Sequence, residues 1–395
     1  MSEPIAVVDI GSSKIVTLIG EVEETGELKI IGSGVSRSKG LRKGVVVNVE
    51  KSVESIRESI ELASESSGLE IESVFVGITG EHIKGQRSRG MTPVSDKKRN
   101  EVRESDVRKA LEQAKTLFIP QDRELLYAHR NSFILDGQRG IADPVGMMAV
   151  RLEVDVYLLT AQSTILRNLD MVLEKAKVEP IYYVFQPIAA SYATFSEEEM
   201  KQGVALLDIG RDTTDLAVWF EGELVHTAVL GIGGDLITSD IAYGLKISKN
   251  KAEDLKLKYG VASSRVLSKA ISEGSEAKMR IPEGVGDEVP FDRRLFVDII
   301  EARVEELLDF VKEELLRSEV SDKLALGVYL VGGSALMLGM RETVERYLGL
   351  PTTVGIPRGL TGKCDFLRSP VYASSVGLLR LAPRMMEELE KEEGD

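Results

Sequence analysis

The sequence is poor in cysteine and histidine, the residues that build disulfides and many metal sites. It contains a single cysteine, Cys364, and three histidines that lie far apart, His82, His129 and His226. A lone cysteine cannot form a disulfide within its own chain, which fits a reducing compartment. Histidines without ligand spacing argue against a zinc site. We therefore expect Cys364 to be a packed, unreactive thiol and the histidines to be surface or capping residues.

Long apolar runs and an excess of positive charge are also lacking. No apolar stretch reaches the roughly 20 residues that a membrane-spanning helix needs, and the N-terminus has no basic-then-apolar signal segment. The net charge of −14 disfavours nucleic acid as a partner. The chain has 395 residues, of which 43% are hydrophobic and 29% charged, as in a soluble globular protein large enough for two cores.

Two similar strand–turn–strand segments lie half a chain apart. Residues 5–18 contain Asp9-Ile-Gly-Ser-Ser-Lys14, and residues 204–220 contain Asp208-Ile-Gly-Arg-Asp-Thr-Thr-Asp215. Each segment predicts a β-hairpin with an aspartate where the first strand meets the turn. The turn glycine lets backbone N–H groups approach a phosphate, and the carboxylate suits the waters of a bound Mg²⁺. One such motif alone would equally fit an ordinary hairpin, but two copies indicate an internal duplication.

Two glycine-rich turns complete the pattern. Val328-Tyr-Leu-Val-Gly-Gly-Ser334 predicts a buried strand that ends in a turn able to lie flat against a base or sugar. Gly231-Ile-Gly-Gly-Asp235 precedes a predicted helix, whose first N–H groups would suit a phosphate or ribose. The sequence therefore predicts a nucleotide held between two facing hairpins.

These motifs resemble those of the actin-like ATPase superfamily, and other segments resemble the FtsA family of bacterial cell-division proteins. The segments that carry the second resemblance are Gly80–Ile83, Gly90–Ser95, Asp143–Met147, Thr238–Tyr243, Ala252–Lys256 and Pro370–Leu379. The resemblance implies an α/β fold of the actin-like ATPase type, with two duplicated RNase H-like halves that each carry an inserted subdomain. It also implies a nucleotide-gated, polymerising adaptor that links the FtsZ division ring to the cytoplasmic membrane.

The resemblance and the strand and helix patterns together divide the chain. The expected parts are a first half (1–83 and 163–200) with a small α/β insert (84–162), a second half (201–245 and 318–383) with its own insert (246–317), and an acidic tail (384–395). Within the first insert, residues 105–115 predict a helix that turns Asp106 and Glu112 outward. The Glu-rich tail is expected to fray.

The resemblance implies ATP and Mg²⁺ as ligands. Asp9 and Asp208 would hold Mg²⁺ through water, and Asp208 would act in catalysis with Gln186, for which a helix-capping role is the alternative. Glu253 and Lys256 would bracket the adenosine, unless they form only a surface ion pair. The residues expected to contact the nucleotide are Gly11, Ser12, Ser13, Lys14, Gly210, Thr213, Gly233, Gly234, Glu253, Lys256, Gly332, Gly333 and Ser334.

The turn after Asp208 departs from the pattern of many relatives, which have glycines where this chain has Arg211 and Asp212. Asp212 would repel a γ-phosphate if it pointed inward, whereas Arg211 would attract it. The sequence leaves both orientations open. We expect hydrolysis to be slow in either case.

The resemblance also implies partners: the carboxy-terminal peptide of FtsZ, further copies of the chain in a filament, and other division proteins. The peptide is expected at Arg293, Arg294 and Arg303, unless these only pair with Asp298, Glu301 or Glu305 on their own helix. The 84–162 insert is expected to meet the next copy in a filament. The implied location is the cytoplasmic face of the membrane at the division site.

The acidic tail differs from the basic amphipathic helix with which FtsA relatives usually bind the membrane. We expect that such a helix was removed, or that a partner provides the membrane contact. The chain as given should then not bind anionic vesicles.

Two other classes of function compete with the FtsA-like one. A sugar or metabolite kinase of the same superfamily needs a carboxylate that acts as general base on a sugar hydroxyl, and residues 84–162 show no such constellation. A pilus-assembly or carbon-compartment actin-like protein is the other alternative. The Thr238–Tyr243 and Gly90–Ser95 segments favour an FtsA-like chain.

Overall fold

The computed structural model describes residues 4–23, 26–96, 99–116, 119–274, 278–282 and 288–393. The remaining positions, which include parts of the second insert and both chain ends, lie outside the described residues. The chain opens with β1 (Ile5–Ile10), β2 (Lys14–Val22), β3 (Leu28–Arg37), β4 (Leu41–Arg42), β5 (Val45–Val46), α1 (Val49–Ser67) and β6 (Ser73–Ile78). The predicted first hairpin is confirmed, with Ile10 opposite Ile15 in antiparallel register.

Helix α1 packs against the sheet through its apolar side. The side chain of Asn48 accepts a hydrogen bond from the backbone N–H of Lys51 and so caps the first turn. Ile56 and Ile60 are buried on the face that meets the strands. Gly34 permits the close approach, because a Cβ at this position would lie 1.9 Å from the carbonyl oxygen of Ser59.

The first insert follows as a four-stranded antiparallel sheet with one helix across it. Its elements are β7 (Lys84–Pro93), α2 (Glu104–Thr116), β8 (Arg123–Leu135), β9 (Gln138–Ile141) and β10 (Arg151–Gln162), with strand order β7-β10-β8-β9. The predicted outward position of Asp106 is wrong. The residue is fully buried, since its carboxylate accepts the backbone N–H groups of Ser95 and Arg103 at 3.2 and 3.1 Å. It thereby ties the start of α2 to the preceding loop.

The chain then returns to the first sheet and crosses to the second. The connecting elements are α3 (Ser163–Lys175), β11 (Glu179–Phe185), α4 (Gln186–Thr194) and α5 (Glu197–Gln202). Helix α4 has Pro187 in its first turn, where a missing N–H has no cost, and it is buried along its length. It lies between the two sheets and contributes Ala189 and Ala190 to the larger apolar core.

The second half repeats the hairpin and extends it. Its elements are β12 (Val204–Ile209), β13 (Thr214–Phe220), β14 (Glu223–Leu230), α6 (Gly234–Leu245), α7 (Lys249–Tyr259), α8 (Ser264–Ser272), β15 (Lys278–Pro282), β16 (Glu288–Asp292) and α9 (Arg293–Arg317). The long amphipathic helix predicted over residues 293–316 is confirmed as α9, which buries Phe296, Val304 and Leu308 in a second core.

The last part of the chain serves both sheets. It forms β17 (Val328–Val331), α10 (Met340–Leu348), β18 (Thr352–Val354), β19 (Leu360–Gly362) and α11 (Ala373–Glu393). The second sheet has the order β14-β13-β12-β17-β18, and the first has the order β11-β6-β1-β2-β3-β19. Strand β19 thus returns the chain to the first sheet. The division of the chain into domains, as drawn from the sequence, stays a prediction.

Helix α11 extends further than expected. The tail from residue 384 was predicted to fray, but α11 continues through Pro383 to Glu393. Met385 is 4% exposed and packs in the first core, which stabilises this extension. Within the described residues, no helix combines the length and apolar character needed to cross a bilayer.

The first insert also packs against the second half. The hydroxyl of Tyr157 accepts the backbone N–H of Thr227 at 2.8 Å, and Arg87 Nε donates to the carbonyl oxygen of Val225 at 3.2 Å. The ring of His129 meets Trp219 edge-on, with centroids 5.2 Å apart. The contacts with Thr227 and Val225 cover β14, which is an edge strand of the second sheet, and Trp219 lies on the neighbouring strand β13.

Two histidine expectations are wrong. His82 and His129 are 6% and 7% exposed, so neither is a surface residue. Burial lowers the pKa of each imidazole to about 4, with nearby arginines adding to the effect. Cys364 is buried, as expected.

Candidate nucleotide site

The two hairpins bring their aspartates to one place at the junction of the halves. Both turns close in the same way: the N–H of Gly11 donates to the carbonyl oxygen of Lys14 at 3.2 Å, and that of Gly210 to Thr213 at 2.9 Å. Asp9 and Asp208, at the ends of β1 and β12, are close enough for each other's charge to matter. The duplication read from the sequence therefore produces one site with a contribution from each half.

Asp9 is held on both sides. Gln186 Nε2 donates to Asp9 Oδ1 at 2.6 Å, and Ser375 Oγ donates to Asp9 Oδ2 at 2.7 Å. Gln186 is thus the first residue of α4 and part of the site at the same time. Burial raises the pKa of Asp9, while Ser375, the charge of Lys14 and Gln186 oppose the rise.

Asp208 has weaker support. Ser374 Oγ is 3.3 Å from Asp208 Oδ2. Burial, followed by the negative charge of Asp9, raises the pKa of Asp208 to about 6, and Lys14 opposes this. The two acids thus share one nearby cation, which leaves negative charge at the site that a further cation would neutralise.

Lys14 lies beside both acids and is itself engaged. Its Nζ donates to the carbonyl oxygen of Val371 at 3.1 Å and lies 4.9 Å from the centroid of the Tyr372 ring. Burial lowers the pKa of Lys14, and the charges of Asp9 and Asp208 oppose this. The ammonium group is therefore placed at the site by the segment that leads into α11.

Sequence reasoning missed a third acid, Asp215. It lies directly opposite Asp208 in the β12–β13 pair and is 3% exposed. Burial raises its pKa well above the usual range, and the charge of Asp208 adds to this. The Thr-Thr-Asp segment could have indicated this acid, but in the sequence it contributes only to the family resemblance.

The glycine-rich turns meet the second hairpin closely. Gly332 has φ +84°, and a Cβ at this position would lie 2.3 Å from Asp208 Oδ1. A Cβ on Gly234 would lie 3.1 Å from Ser334 Oγ and 3.4 Å from Lys256 Nζ. The structure thus brings the turn after β17, the start of α6 and Lys256 together.

Lys256 is not part of a surface ion pair. It is 9% exposed, and its Nζ donates to the carbonyl oxygen of Gly234 at 2.9 Å and to Thr238 Oγ1 at 2.8 Å. Glu253 Oε2 lies 2.8 Å from the same ammonium group. Lys256 therefore fastens α7 to the first turn of α6, next to the glycines.

The structure also places the two unusual turn residues. Asp212 Oδ2 accepts the backbone N–H of Lys43 at 2.9 Å, which links the second half to the first. Arg211 lies 3.7 Å from Asp235 and 3.8 Å from Asp212. Asp212 is thus engaged by the opposite half, and Arg211 by acids of its own half.

The three arginines expected to bind a peptide lie on α9, away from this cluster. Arg303 contacts Asp240 of α6, at 3.1 Å through Nη2, and Glu306 of its own helix. The acids named from the sequence as alternative partners do not pair with it among the described contacts: Glu301 and Glu305 bind Arg346 instead, at 2.9 and 2.8 Å. Arg293 is half-buried and Arg294 is exposed.

Comparison with known proteins decides the family. The family model described as cell division protein FtsA matches residues 205–377, and the model described as the SHS2 domain inserted in FtsA matches residues 80–160. The FtsA of Pseudomonas aeruginosa is 36% identical over 373 residues, which are 94% of this chain and 87% of the relative. The chain belongs to the FtsA family of cell-division proteins. The FtsA of Bacillus subtilis is 35% identical over 378 residues, which are 95% of this FtsA-family chain and 82% of the relative.

Solved structures show that this FtsA-family chain has the actin-like fold. The chain of a PilM–PilN type IV pilus biogenesis complex superposes with a TM-score of 0.68 and 17% identity, over 95% of this chain and 97% of that one. MreB5 of Spiroplasma citri bound to AMPPNP gives a TM-score of 0.58 and 14% identity over 99% of both chains. The predicted fold class and family are confirmed.

Proposed function

We propose that this FtsA-family chain binds ATP with Mg²⁺ between its two halves and works as a nucleotide-gated adaptor in cell division. The observation that carries the proposal is the meeting of Asp9, Asp208 and Lys14, one acid from each half with a single cation beside them. The nucleotide-bound structures of MreB5, which has the same fold, support it.

The residues present fit a magnesium ion coordinated through water. Mg²⁺ keeps several waters and is usually held by one or two carboxylates together with phosphates, and Asp9 and Asp208 supply two carboxylates with raised pKa values. When bound, the ion would neutralise phosphate charge. Asp9 and Asp208 would orient its waters, and Ser12, Ser13 and Lys14 would face the phosphates.

The rest of the nucleotide would lie against the glycine-rich turns. Gly332 and Gly234 leave room where a side chain would meet Asp208 or Ser334, so the backbone can approach a ligand. The residues proposed to line this part are Gly11, Gly210, Thr213, Gly233, Gly234, Glu253, Lys256, Gly332, Gly333 and Ser334.

ATP turnover is expected to be slow. We propose that Gln186 and Asp208 lie near the attacking water. The Gln186 amide already donates to Asp9 and to the carbonyl oxygen of Ile10 at 3.2 Å, so its orientation is fixed by the protein. A switch needs bound ATP to persist, and a steady-state rate of about 10 per second would contradict this expectation.

Calorimetry on Asp208→Ala tests the site. Loss of this carboxylate should weaken Mg-ATP binding about tenfold or more, because hydrogen bonds to a charged group are stronger than those between neutral groups. Asp254→Ala, at an exposed position on α7, is the matched control and should bind as the wild type does. Equal affinity of Asp208→Ala and wild type would overturn the assignment.

We propose that the chain links the FtsZ ring to the cytoplasmic membrane, as FtsA-family membership supports. The carboxy-terminal FtsZ peptide would bind near Arg293, Arg294 and Arg303 on α9, with membrane attachment through a tail of the kind FtsA relatives carry or through a partner. We therefore propose that the protein acts on the cytoplasmic face of the membrane at the division site.

Charge reversal at α9 tests the peptide site. Arg303→Glu should weaken binding of a labelled FtsZ peptide several-fold, because the peptide is expected to be partly acidic. Asp240→Asn is the control, since it breaks the same ion pair without reversing the charge of α9. Equal affinity of the Arg303→Glu variant and wild type would remove Arg303 from the site.

Filament contacts are proposed to run through the 84–162 insert to the next copy's second half. The insert exposes several apolar side chains in one segment, with Met148 75% exposed. Met148→Lys should reduce the filaments that electron microscopy detects in solutions of ATP-bound protein. Val47→Lys, at a 64% exposed position in the first half, should not. Undiminished filaments in Met148→Lys would argue against this surface.

A further inference from the structure

Two adjacent serines at the start of α11 each hold one acid of the site. Ser375 Oγ donates to Asp9 of the first half at 2.7 Å, and Ser374 Oγ lies 3.3 Å from Asp208 of the second half. Ser375 is fully buried and Ser374 is 8% exposed. One turn of helix thus connects the carboxylates that the duplicated hairpins contribute.

We propose that Ser374 and Ser375 are positioning residues that set the relative placement of the two acids and thereby the magnesium dependence of nucleotide binding. The inference rests on the proposed ATP site. It goes beyond that site because neither serine is expected to contact the nucleotide. In the sequence, both serines belong to a segment that contributes only to the family resemblance.

The position of the serines is fixed by tight packing behind them. Helix α11 crosses α4 at Gly377, where a Cβ would lie 1.7 Å from the carbonyl oxygen of Ala189. Only a residue without a side chain allows this approach. Leu378 and Leu379 are fully buried on the same helix. The two hydroxyls therefore have little freedom to follow a displaced carboxylate.

The same helix pair holds both oxygens of Asp9. Gln186, at the start of α4, donates to Oδ1, and Ser375, at the start of α11, donates to Oδ2. Asp208 receives only the longer contact from Ser374 among the described hydrogen bonds. Asp9 is thus a fixed acid and Asp208 a more adaptable one, with α11 joining the two.

Lys14 depends on the same segment. Its Nζ donates to the carbonyl oxygen of Val371, two residues before α11 begins. The residues from Val371 to Ser375 therefore contact Asp9, Asp208 and Lys14, which are the charged groups proposed to lie nearest the phosphates and the metal. A shift of this segment would alter all three together, whereas loss of a serine hydroxyl would alter only one acid.

The test compares ATP affinity with magnesium and with EDTA. In Ser374→Ala/Ser375→Ala, the dissociation constant of Mg-ATP should rise about tenfold, since each change removes a hydrogen bond to a charged group. The dissociation constant of metal-free ATP should stay within about twofold, because the phosphate contacts are kept. Ser374→Thr keeps the hydroxyl and should behave as the wild type. Ser268→Ala, which removes a hydroxyl that donates to the carbonyl oxygen of Ser264 within α8, is the matched control.

The outcomes separate the inference from the proposed function. If wild-type protein binds ATP equally with and without magnesium, the proposed site itself fails. If the wild type shows the magnesium effect and the double variant keeps it in full, the serines are not positioning residues. If both dissociation constants rise equally, the serines serve only the fold, which also overturns the inference. Ser374→Ala alone, at the less buried position, provides the same comparison should the double variant not fold.

Discussion

The hairpin around Asp9 and the hairpin around Asp208 share a backbone and differ in charge. Each places its aspartate at the same point before a four-residue turn closed by one backbone hydrogen bond. Across the strands, however, Asp9 faces the apolar Val16, whereas Asp208 faces a second buried acid, Asp215. The first turn ends with Lys14, whose positive charge offsets that of Asp9. The second turn contains Asp212, which adds negative charge.

This difference assigns separate tasks to the two copies. The first hairpin carries one acid and one cation, a balance suited to anionic phosphates. The second carries two buried acids, and the cation of its turn, Arg211, lies against Asp212 and Asp235. This leaves the buried acids suited to a metal cation and its waters. The two hairpins thus have one backbone geometry, and their side chains would suit different parts of the proposed ligand.

The two hairpins also differ in what covers them, and the cover of the second should make the stability of the protein depend on pH. His129 of the insert packs on Trp219 of β13, and burial lowers the pKa of His129 to about 4, with Arg384 and Arg130 adding. Between pH 6.5 and 4 the unfolded chain binds the proton more readily, so stability falls as pH decreases. The shift corresponds to about 3 kcal/mol at most.

His129→Gln isolates this contribution. Chemical denaturation of wild type and variant at pH values between 7 and 4 should show the wild type losing about 2–3 kcal/mol more than the variant. Comparing how the free energy of unfolding changes with pH removes the pH-independent cost of the substitution. His82 titrates in the same direction, but it is present in both proteins and does not affect the difference. Parallel curves would show that His129 does not carry the effect.

The division of tasks predicts two distinct losses of affinity. Lys14→Met removes the cation and should weaken ATP binding about tenfold both with magnesium and with EDTA, because the phosphate contact does not need the metal. Asp208→Ala should weaken binding only when magnesium is present. Titration calorimetry under both conditions measures this. A magnesium-selective loss in Lys14→Met would reverse the assignment of the two hairpins.

Much of this comparison was readable from the sequence, because hairpin strands are local. The repeated Asp-Ile-Gly motif, the apolar runs and the turn glycines identified both hairpins and the turn after β17. The contacts of Ser374, Ser375 and Gln186 with the acids were not readable, since they join positions up to 366 residues apart. The burial of Asp106 could not be predicted for a related reason. Helical spacing indicates which side of a helix faces the core, but it does not indicate which polar side chain accepts hydrogen bonds from backbone N–H groups.

Asp215 should reveal the cost of a second buried acid. In metal-free protein at neutral pH, Asp215→Asn removes a carboxylate whose pKa is raised by burial and by Asp208. We expect the free energy of unfolding to increase by about 1 kcal/mol, since burial and the charge of Asp208 both disfavour an ionised carboxylate at this position. Val16→Thr, at the equivalent position of the first hairpin, should instead decrease it. Denaturant unfolding in EDTA compares the two, and destabilisation by Asp215→Asn would mean that this acid is satisfied by its surroundings.

The smallest expected effect concerns Asp212, whose counterpart in the first turn is the uncharged Ser13. Asp212 accepts the backbone N–H of Lys43 across the junction of the halves, so Asp212→Asn keeps a weaker acceptor and Asp212→Ala removes it. Because this bond joins the halves on one side of the proposed site, its loss should raise the rate of nucleotide release about threefold, with little change in stability. Stopped-flow displacement of a fluorescent ATP analogue measures that rate. Lys43→Ala keeps the N–H donor and should release nucleotide as the wild type does. A faster release in Lys43→Ala as well would point to the side chain, through its 3.9 Å contact with Glu81, rather than to Asp212.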